Sequence, residues 1–373
     1  MKHVVHLTSV NTPFDTRIFM KECRSLAKAG YKVSLVAQAE KGGVHDGVTI
    51  VPVQPCADRK ERLTRVVPHV FKTALSLNAD LYHFHNIELL PVGILIKGFT
   101  RAKVVYDAHE NHPDKVAGKA YIPAPIRKLT AKSVGALEQI TVFCIDAIVT
   151  SIGSRLAARF PADKTVILEN FALEDMADLL DQIPRTFEGN TKILYTGGLR
   201  DHIGSYQVVQ AMEHVKTPGA HLTIIGQEID TPETRAIKQL PAYGKNAEFL
   251  GMTDLKGVYE HMHSAAVGLM CLQPLFGYAD TSPNKLYEYM SAGLPMVASD
   301  FPLWKDLLVR DNTGMAVDAT DPKAIAKAID HLLENPELCR KMSESGKRLF
   351  REKYSWTSQE AKLLDLYQRL LSE

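Results

Sequence analysis

A short segment late in the chain brings together a lysine and a glutamate that could bind an anionic sugar derivative. Residues 282–290 read Ser-Pro-Asn-Lys-Leu-Tyr-Glu-Tyr-Met. In a helix, Lys285 and Glu288 lie on the same face. A cation in the first turn opposes the helix dipole, and a helix N-terminus is a natural phosphate site, so we expect an anion there. Lys285 would contact a phosphate and Glu288 the sugar hydroxyls; the alternative is an exposed ion pair without a ligand.

The same segment carries signals for both ends of its helix. Ser282 is a favoured N-cap, and Pro283 suits the first helical position. Gly293 can adopt the left-handed conformation that ends a helix. The sequence therefore predicts a helix between Ser282 and Gly293. Its apolar face would consist of Leu286, Tyr289 and Met290.

Other polar residues follow predicted strands, where parallel sheets bind their ligands. Asp107 and His109 end the strand that begins at Lys103. His109 could contact a sugar hydroxyl while Asp107 fixes its tautomer, or it could be a loop histidine bonded to backbone. Gly197 and Gly198 also follow a strand, and paired glycines let the backbone approach a phosphate closely. The remaining strand-end candidates are Asp15, Arg17, His85 and Arg200.

His83 and His85 alternate along one predicted strand and therefore share a face. Two histidines at that spacing could ligate a metal, but no third ligand follows at an informative spacing. We interpret His83 as a packing residue and His85 as a residue at the rim of the site, and we expect no metal and no cofactor.

Strand-like and helix-like patterns alternate along the chain, which predicts an α/β protein with doubly wound parallel sheets. A length of 373 residues suggests two domains. The alternation breaks in the acidic stretch 173–190, which we interpret as a linker. We expect domains at 1–172 and 191–355 and a closing helix at 356–373. The predicted strands begin near His3, Lys32, Leu81, Lys103, Ala147, Thr165, Lys192, Leu222, Glu248, Val267 and Met296.

Composition excludes several classes of protein. No apolar run is long enough to span a bilayer, and the first residues do not resemble a signal peptide. Five scattered cysteines without a CxxC pair support neither a zinc site of thiolates nor a disulfide framework, so we expect a reduced cytoplasmic setting. The absence of GxGxxG argues against a dinucleotide oxidoreductase, and nucleic acid is not an expected partner.

The net charge of +1 conceals an asymmetry. Residues 1–170 hold 23 basic and 15 acidic side chains, and the rest of the chain holds 21 and 28. A basic half could face anionic lipid or an anionic substrate. The two surfaces could equally attract each other across a cleft.

Five segments resemble the retaining glycosyltransferases of the GT-B fold in group 4 of the sugar-transferase classification. Residues 11–19 (Asn-Thr-Pro-Phe-Asp-Thr-Arg-Ile-Phe) resemble the N-terminal loop of bacterial polysaccharide transferases in that group. Residues 106–110 (Tyr-Asp-Ala-His-Glu) are similar to the segment with the family's active-site histidine. Residues 282–290 with 292–295 resemble its donor-binding motif, the most specific match, and 353–356 are similar to its ending.

The resemblance implies two Rossmann-like domains facing across a cleft, with the last helix crossing back to the first domain. It implies metal-independent transfer from a nucleotide sugar to a growing glycan, with retention of configuration, in bacterial cell-surface polysaccharide synthesis. Glu288 would hold the ribose, Lys285 the diphosphate, and His109 the transferred sugar near its 6-hydroxyl. The implied donor-binding set is Lys285, Glu288, Asn284, Gly197, Gly198, Arg200 and Asp280, and the implied acceptor-binding set is Asp15, Arg17 and His85.

The chain departs from the family pattern at two places. The family usually has paired glutamates eight residues apart, and the first position here is Asp280. Its usual arginine and lysine after the first strand of the second domain fall on Gly198 and Ile203, which cannot neutralise a phosphate. Arg200 or His202 would have to substitute, or Lys285 would do most of the work. A nucleotide-sugar 2-epimerase and a nucleotide-sugar-binding protein with weak transfer activity are the alternatives.

Overall fold

A computed structural model describes residues 1–108, 113, 116, 123–150, 157–200, 202–275 and 278–372. The chain divides into two compact units. The first unit is Met1–Asn170 together with Ser358–Glu373, and the second is Phe171–Thr357. The final residues of the chain therefore group with the first unit and not with the segment that precedes them.

Fourteen strands are present in the described parts of the chain. In chain order they are β1 (His3–Leu7), β2 (Lys32–Gln38), β3 (Gly43–His45), β4 (Val48–Val53), β5 (Leu81–Phe84), β6 (Lys103–Asp107), β7 (Ala147–Thr150), β8 (Thr165–Ile167), β9 (Lys192–Tyr195), β10 (His221–Ile225), β11 (Ala247–Gly251), β12 (Val267–Met270), β13 (Met296–Ser299) and β14 (Gly314–Val317).

The described helices fill the gaps between the strands. The α-helices are α1 (Arg24–Lys28), α2 (Arg59–Glu61), α3 (Val67–Leu77), α4 (Leu90–Phe99), α5 (Ala124–Cys144), α6 (Glu174–Asp181), α7 (Ser205–Ala211), α8 (Pro232–Ile237), α9 (Leu255–Ser264), α10 (Asn284–Ser291), α11 (Pro302–Lys305), α12 (Pro322–Leu333), α13 (Pro336–Leu349) and α14 (Thr357–Ser372). Wider, π-type turns occupy Thr16–Cys23, Arg62–Val66, Asp306–Arg310 and Phe350–Tyr354, and 3₁₀ turns occupy Ile87–Leu89 and Tyr278–Asp280. None of the described helices is both long enough and apolar enough to cross a membrane.

Each unit is built on one sheet. The first unit has the strand order β3-β4-β2-β1-β5-β6-β7-β8, and only the β3–β4 pair is antiparallel. The second has the order β11-β10-β9-β12-β13-β14, and every pair is parallel. The central strands are buried along their whole length, as expected when helices cover both faces of a parallel sheet. The predicted fold class, α/β with two doubly wound parallel sheets, is confirmed.

Residues 173–190, interpreted as a linker, are structured. They contain α6, whose Ala177 and Leu180 are buried in the core of the second unit. Arg185 donates hydrogen bonds to the backbone carbonyls of Ala292, Met262 and Ala265. These carbonyls lie at the ends of α9 and α10, where helical backbone acceptors lack internal partners. The acidic composition of this segment concealed an integral part of the second unit.

The helix predicted between Ser282 and Gly293 begins one residue later than expected. Pro283 occupies the N-cap position without a capping side chain, so the expectation that Ser282 is the cap is wrong. The Ser282 hydroxyl instead bonds to the hydroxyl of Tyr287. Gly293 has a φ of 62°, as predicted for the residue that ends this helix. The predicted apolar face, formed by Leu286, Tyr289 and Met290, is buried.

Candidate functional site

Both sheets have a point at which the strand order reverses, and the candidate residues gather there. In the first unit the reversal lies between β1 and β5, and in the second between β9 and β12. Loops leaving the carboxyl ends of two such neighbouring strands diverge to opposite faces and leave a crevice in which ligands bind. The sequence-predicted residues Asp15, Arg17 and His85 follow β1 and β5, whereas Gly197, Gly198 and Arg200 follow β9.

The loop after β1 is held in place by polar side chains. Asn86 accepts hydrogen bonds from the Thr8 hydroxyl and the Ser9 backbone N–H, both at 2.7 Å. Asn11 donates to Asp15 at 2.8 Å. Asp15 in turn caps the helical turn Thr16–Cys23, because its carboxylate accepts the backbone N–H groups of Arg17 and Ile18 at 2.9 Å. The carboxylate of Asp15, predicted to bind the acceptor, is thus engaged with the backbone.

A buried ion pair joins Arg17 to Asp107. The guanidinium makes two contacts with the carboxylate, Nε–Oδ2 at 2.7 Å and Nη2–Oδ1 at 3.2 Å. His85 Nδ1 contacts the same carboxylate at 3.0 Å. Burial alone would lower the pKa of Arg17, but Asp107 and Glu22 outweigh it and raise that pKa above the ordinary value. The pair therefore stays charged, and the carboxylate of Asp107 is occupied on both oxygens.

Burial corrects one expectation about the first unit. His85 is buried, as Arg17 is, and does not lie at the rim of the site. The assignment of Arg17 and His85 to the acceptor stays a prediction. Asp107 is likewise fully buried, and its catalytic role also stays a prediction. His109 lies outside the described residues.

The sequence has no third ligand at an informative spacing from His83 and His85, but the fold brings two further candidate ligands close to them. β1 pairs with β5 so that His6 lies opposite His83, and the turn Thr16–Cys23 brings Glu22 to both. Burial lowers the pKa values of His6 and His83 well below the ordinary value. It raises the pKa of Glu22 well above the ordinary value. Sequence spacing could not reveal this cluster because its members come from three separate elements.

In the second unit, the glycine pair after β9 is required by packing. Gly198 has a φ of 72°, and a Cβ there would lie 2.2 Å from the Gln227 carbonyl oxygen. The Gly198 N–H donates to the Ile225 carbonyl at 3.0 Å. A Cβ at Gly197 would lie 2.5 Å from the ring of Tyr195. The pair lets two loops touch, and the Gly198 N–H is already used, so the expected phosphate contact does not come from that amide.

Arg200 is the charged residue of this loop that faces the helix α10. Its side chain is half-buried, and its Nε is buried without a hydrogen-bond partner in the described part of the chain. The loop beneath it is fixed by two bonds, Ser205 Oγ to the Arg200 carbonyl at 2.9 Å and Tyr195 OH to the Ile203 carbonyl at 2.7 Å. Ile203 itself is buried in the core. Arg200 is thus a cation held on a fixed backbone.

Lys285 and Glu288 form the other side of this group. Both side chains are half-buried in the first two turns of α10. Burial lowers the pKa of Lys285; the charge of Glu288 opposes that shift, and the charge of Arg200 adds to it. Two cations therefore lie close enough to repel each other, with one carboxylate nearby. Binding of a multivalent anion would offset the repulsion between the two cations.

The two remaining donor-set candidates lie at the start of the same region. Asn284 is the first residue of α10 and is half-buried. Asp280 ends the 3₁₀ turn Tyr278–Asp280, and the position of its side chain is outside what the structure describes. The structure therefore brings Arg200, Lys285 and Glu288 together, with Asn284 beside them at the helix start.

Residues 177–349 match a family profile described as glycosyl transferases group 1. Phosphatidyl-myo-inositol mannosyltransferase of Mycobacterium leprae is 31% identical over 124 residues, which are 33% of this chain. The matched part of this chain spans 32% of that mannosyltransferase.

The likeness to solved structures extends over the whole chain. Sucrose-phosphate synthase of Thermosynechococcus elongatus superposes with a TM-score of 0.80 at 16% identity, covering 100% of both chains. HepE of Anabaena, solved with UDP and glucose, superposes with a TM-score of 0.73 at 14% identity, covering 99% of this chain and 100% of HepE. The chain has the GT-B fold, and the matched region together with this fold supports a transferase of the glycosyltransferase class.

Proposed function

We propose that the protein is a glycosyltransferase whose second unit binds a nucleotide sugar through Arg200, Lys285 and Glu288. The observation that carries this proposal is the approach of two cations at the point where the strand order of the second sheet reverses. One carboxylate, that of Glu288, cannot neutralise both cations, and a diphosphate would offset their repulsion. Glu288 is one turn further along α10, where its carboxylate would accept hydrogen bonds from ribose hydroxyls.

Structural neighbours support the donor class. HepE of Anabaena was solved with UDP-glucose, and a trehalose-6-phosphate protein of E. coli was solved with UDP-2-fluoro glucose at a TM-score of 0.72. The GT-B fold that they share with this chain makes a nucleotide sugar the first ligand to test. A binding panel of nucleotide sugars would identify the base and the sugar of the donor.

The mechanism follows from where charge develops. As the bond between the sugar and the diphosphate breaks, negative charge grows on the leaving diphosphate. Arg200 and Lys285 would stabilise that charge without a metal ion at the diphosphate, because fixed cations in a partly desolvated site act strongly. The acceptor would attack from the face that the diphosphate leaves, so configuration is retained. His109 would contact the transferred sugar near its 6-hydroxyl.

Arg200 is the residue that replaces the family's basic pair. Gly198 is required by packing and Ile203 is buried, so neither position reaches a phosphate. His202 Nδ1 lies 3.8 Å from Glu233 Oε2. A positive charge on His202 would therefore be offset by Glu233 and not by a phosphate. Arg200 has a buried Nε without a partner among the described residues and acts electrostatically on Lys285. It is the better-placed substitute.

The test is a thermal-shift panel of nucleoside diphosphates and their sugars, followed by turnover assays. A bound donor raises the melting temperature by mass action. Donor turnover that requires an acceptor, and that does not change when Mg²⁺ is added, supports the proposal. Acceptor-independent formation of an isomeric nucleotide sugar would identify an epimerase. Tight binding without turnover would identify a binding protein. No shift with any nucleotide sugar would contradict the donor site itself.

We also propose that the acceptor is a growing surface glycan, carried on a lipid diphosphate at an anionic membrane. The support comes from the start of α5, where Ile126 and Leu129 are exposed close in sequence to the exposed Lys128 and Lys132. Exposed apolar residues flanked by lysines suit the interface of an anionic bilayer. The basic segment 59–65 is a weaker candidate, because Arg62 and Arg65 contact Glu88 and Glu61.

Vesicle co-sedimentation tests this membrane contact. With anionic lipid at low salt the protein should pellet, and high salt should release it, because the charge contribution is screened. Lys128→Glu combined with Lys132→Glu should abolish pelleting, whereas Arg62→Glu should not. Equal recovery in the supernatant under all conditions would contradict membrane attachment and favour a soluble acceptor.

A further inference from the structure

Three histidines and one glutamate converge in the interior of the first unit, whereas the residues assigned to the donor belong to the second unit. His6 comes from β1, His83 lies on β5 and His85 follows it, and Glu22 lies in the turn Thr16–Cys23. All four are fully buried or nearly so. One donor atom from each residue can be chosen so that all four atoms lie within 4.8 Å of one another.

The spacing inside this His-Glu cluster is that of ligands around a common centre. Glu22 Oε2 lies 3.8, 3.7 and 3.8 Å from ring nitrogens of His6, His83 and His85 respectively. His6 Nδ1 and His85 Nε2 are 2.9 Å apart. A tetrahedral zinc site with bonds of about 2.0–2.1 Å separates its ligand atoms by about 3.3 Å. The observed separations bracket that value, so small side-chain movements would close the cluster around an ion.

The cluster also lacks enough positive charge to balance its buried carboxylates. As a carboxylate, Glu22 makes no hydrogen bond within the described residues, although its Oε1 lies 3.2 Å from Arg17 Nε. Arg17 is already paired in two contacts with Asp107. One guanidinium thus serves two buried carboxylates. Buried carboxylates without a matching cation are either protonated or bound to a metal.

The outer contacts of the histidines match those of metal ligands. His85 Nδ1 contacts the Asp107 carboxylate at 3.0 Å. Tyr367 OH lies 3.1 Å from His6 Nε2 and 2.8 Å from His83 Nδ1. The second ring nitrogen of a metal-bound histidine usually bonds to a carboxylate or another polar group, which fixes its orientation. His83 bonds to Tyr367 through Nδ1, the same nitrogen that lies 3.7 Å from Glu22, so it would bind an ion through Nε2 after a turn of its ring. His83 Nε2 has no partner among the described residues.

We propose that His6, Glu22, His83 and His85 bind one zinc ion as a structural site of the first unit. Three imidazoles and a carboxylate are ligands that zinc prefers, and a closed set of four protein ligands is typical of structural sites. The ion would tie β1, β5 and the turn Thr16–Cys23 together beneath the end of β6. It would not take part in phosphate chemistry, because its four protein ligands are buried and would leave no open coordination position. The site does not depend on the proposed transferase activity.

The alternative is a metal-free cluster in which Glu22 is protonated and shares its proton with Asp107. The three histidines would then be neutral and linked in a chain through Tyr367, His6 and His85 to Asp107. Glu22→Gln separates the two cases. A glutamine keeps the shape and can still donate to Asp107, but it lowers affinity for zinc because it carries no charge.

The test is elemental analysis of tag-free protein purified from zinc-replete medium without chelator. We expect about one zinc per chain for the wild type, and a loss of most of it in Glu22→Gln and His83→Asn. His3→Gln is the matched control, since His3 is buried in the same strand but bonds to Ser34 outside the cluster. Tyr367→Phe should retain zinc with an affinity reduced about 10–100-fold.

Thermal unfolding and Co²⁺ substitution complete the test on the wild-type chain, whether or not the variants fold. Protein from zinc-depleted medium should melt at a lower temperature and regain stability on adding Zn²⁺. Co²⁺ should give the intense visible absorption of a four-coordinate site. Wild-type protein without stoichiometric metal, unaffected by Zn²⁺, would overturn the proposal. A Glu22→Gln variant as stable as the metal-free wild type would then identify the shared proton.

Discussion

The ends of the two sheets use charged side chains in opposite ways. In the first unit, Arg17 and Asp107 are buried and bonded to each other. In the second, Arg200 and Lys285 are half-buried and repel each other, with Glu288 nearby. Equivalent positions in two related sheets therefore serve different ends. One group of charges holds its own loop in place, and in the other two cations lie near a single carboxylate.

This difference provides a criterion that distinguishes structural residues from binding residues at a strand end. A binding residue must keep an unmet interaction in the free protein, because a group that is already satisfied gains little from a ligand. By that criterion Asp15, Arg17 and His85 are the weaker candidates for ligand binding, and Arg200, Lys285 and Glu288 are the stronger ones. Residue type and sequence position alone assigned all six to ligands.

The largest expected effect is on stability, and it distinguishes Arg17 from Arg200. Arg17→Met should lower the free energy of unfolding by about 3–5 kcal/mol, because Asp107 would remain as a buried, unpaired charge. Arg200→Met should change it by less than about 0.5 kcal/mol while weakening nucleotide binding. Urea denaturation of both variants provides the measurement. Equal destabilisation by the two changes would break the comparison.

The next prediction concerns Arg185 in the second unit, whose side chain stabilises the fold. Arg185 donates to three carbonyls at the ends of α9 and α10 and lies 5.1 Å from the ring of Phe187. Burial lowers its pKa to about 10. Arg185→Met should cost about 2–4 kcal/mol, since buried acceptors lose their donors. Urea denaturation provides the measurement, and Arg235→Met, a change at an exposed arginine, is the control. An unchanged midpoint for Arg185→Met would show that residues 173–190 are a dispensable linker.

A smaller, pH-dependent effect is expected from Glu169 in the first unit. Burial raises its pKa to about 7, although Lys362 and Arg17 oppose the shift. Because the folded protein then holds a proton that the unfolded chain releases above pH 4.5, wild-type stability should fall as pH rises through 7. Glu169→Gln should therefore be more stable than wild type by about 1–2 kcal/mol at pH 8.

The comparison for Glu169 is a pair of thermal melts at pH 5 and pH 8. The gain of the glutamine variant should shrink at the lower pH. A gain that is the same at both values would show that the carboxyl is not protonated in the folded protein.

Local signals in the sequence predicted much of the fold. The alternation of strand-like and helix-like segments identified most of the central strands, and Gly293 marked the end of α10. The hairpin of β3 and β4 was missed although its Asp46-Gly47 turn, with φ values of 48° and 79°, is a recognisable signal. β14 was missed as well.

The parts that could not be predicted depend on contacts between distant segments. Glu22 meets His6 and His83 only after β1 and β5 pair. Arg185 reads as a linker residue until its carbonyl partners more than 70 positions away are known. Gly198 resembles part of a phosphate loop in sequence, but the backbone of Gln227, from another loop, lies against it. Local patterns carry no information about such partners.

Calorimetric titration with UDP-glucose, and then with the other nucleotide sugars of the panel, tests the central claim most directly. Lys285→Ala and Glu288→Ala should each weaken binding by about 1.5–3 kcal/mol, roughly 10–150-fold, with unchanged thermal unfolding. Lys256→Ala, which removes an exposed lysine of α9, is the control and should bind as the wild type does. Unchanged affinity in both site variants, for a nucleotide sugar that the wild type binds, would contradict the assignment of the donor site to α10.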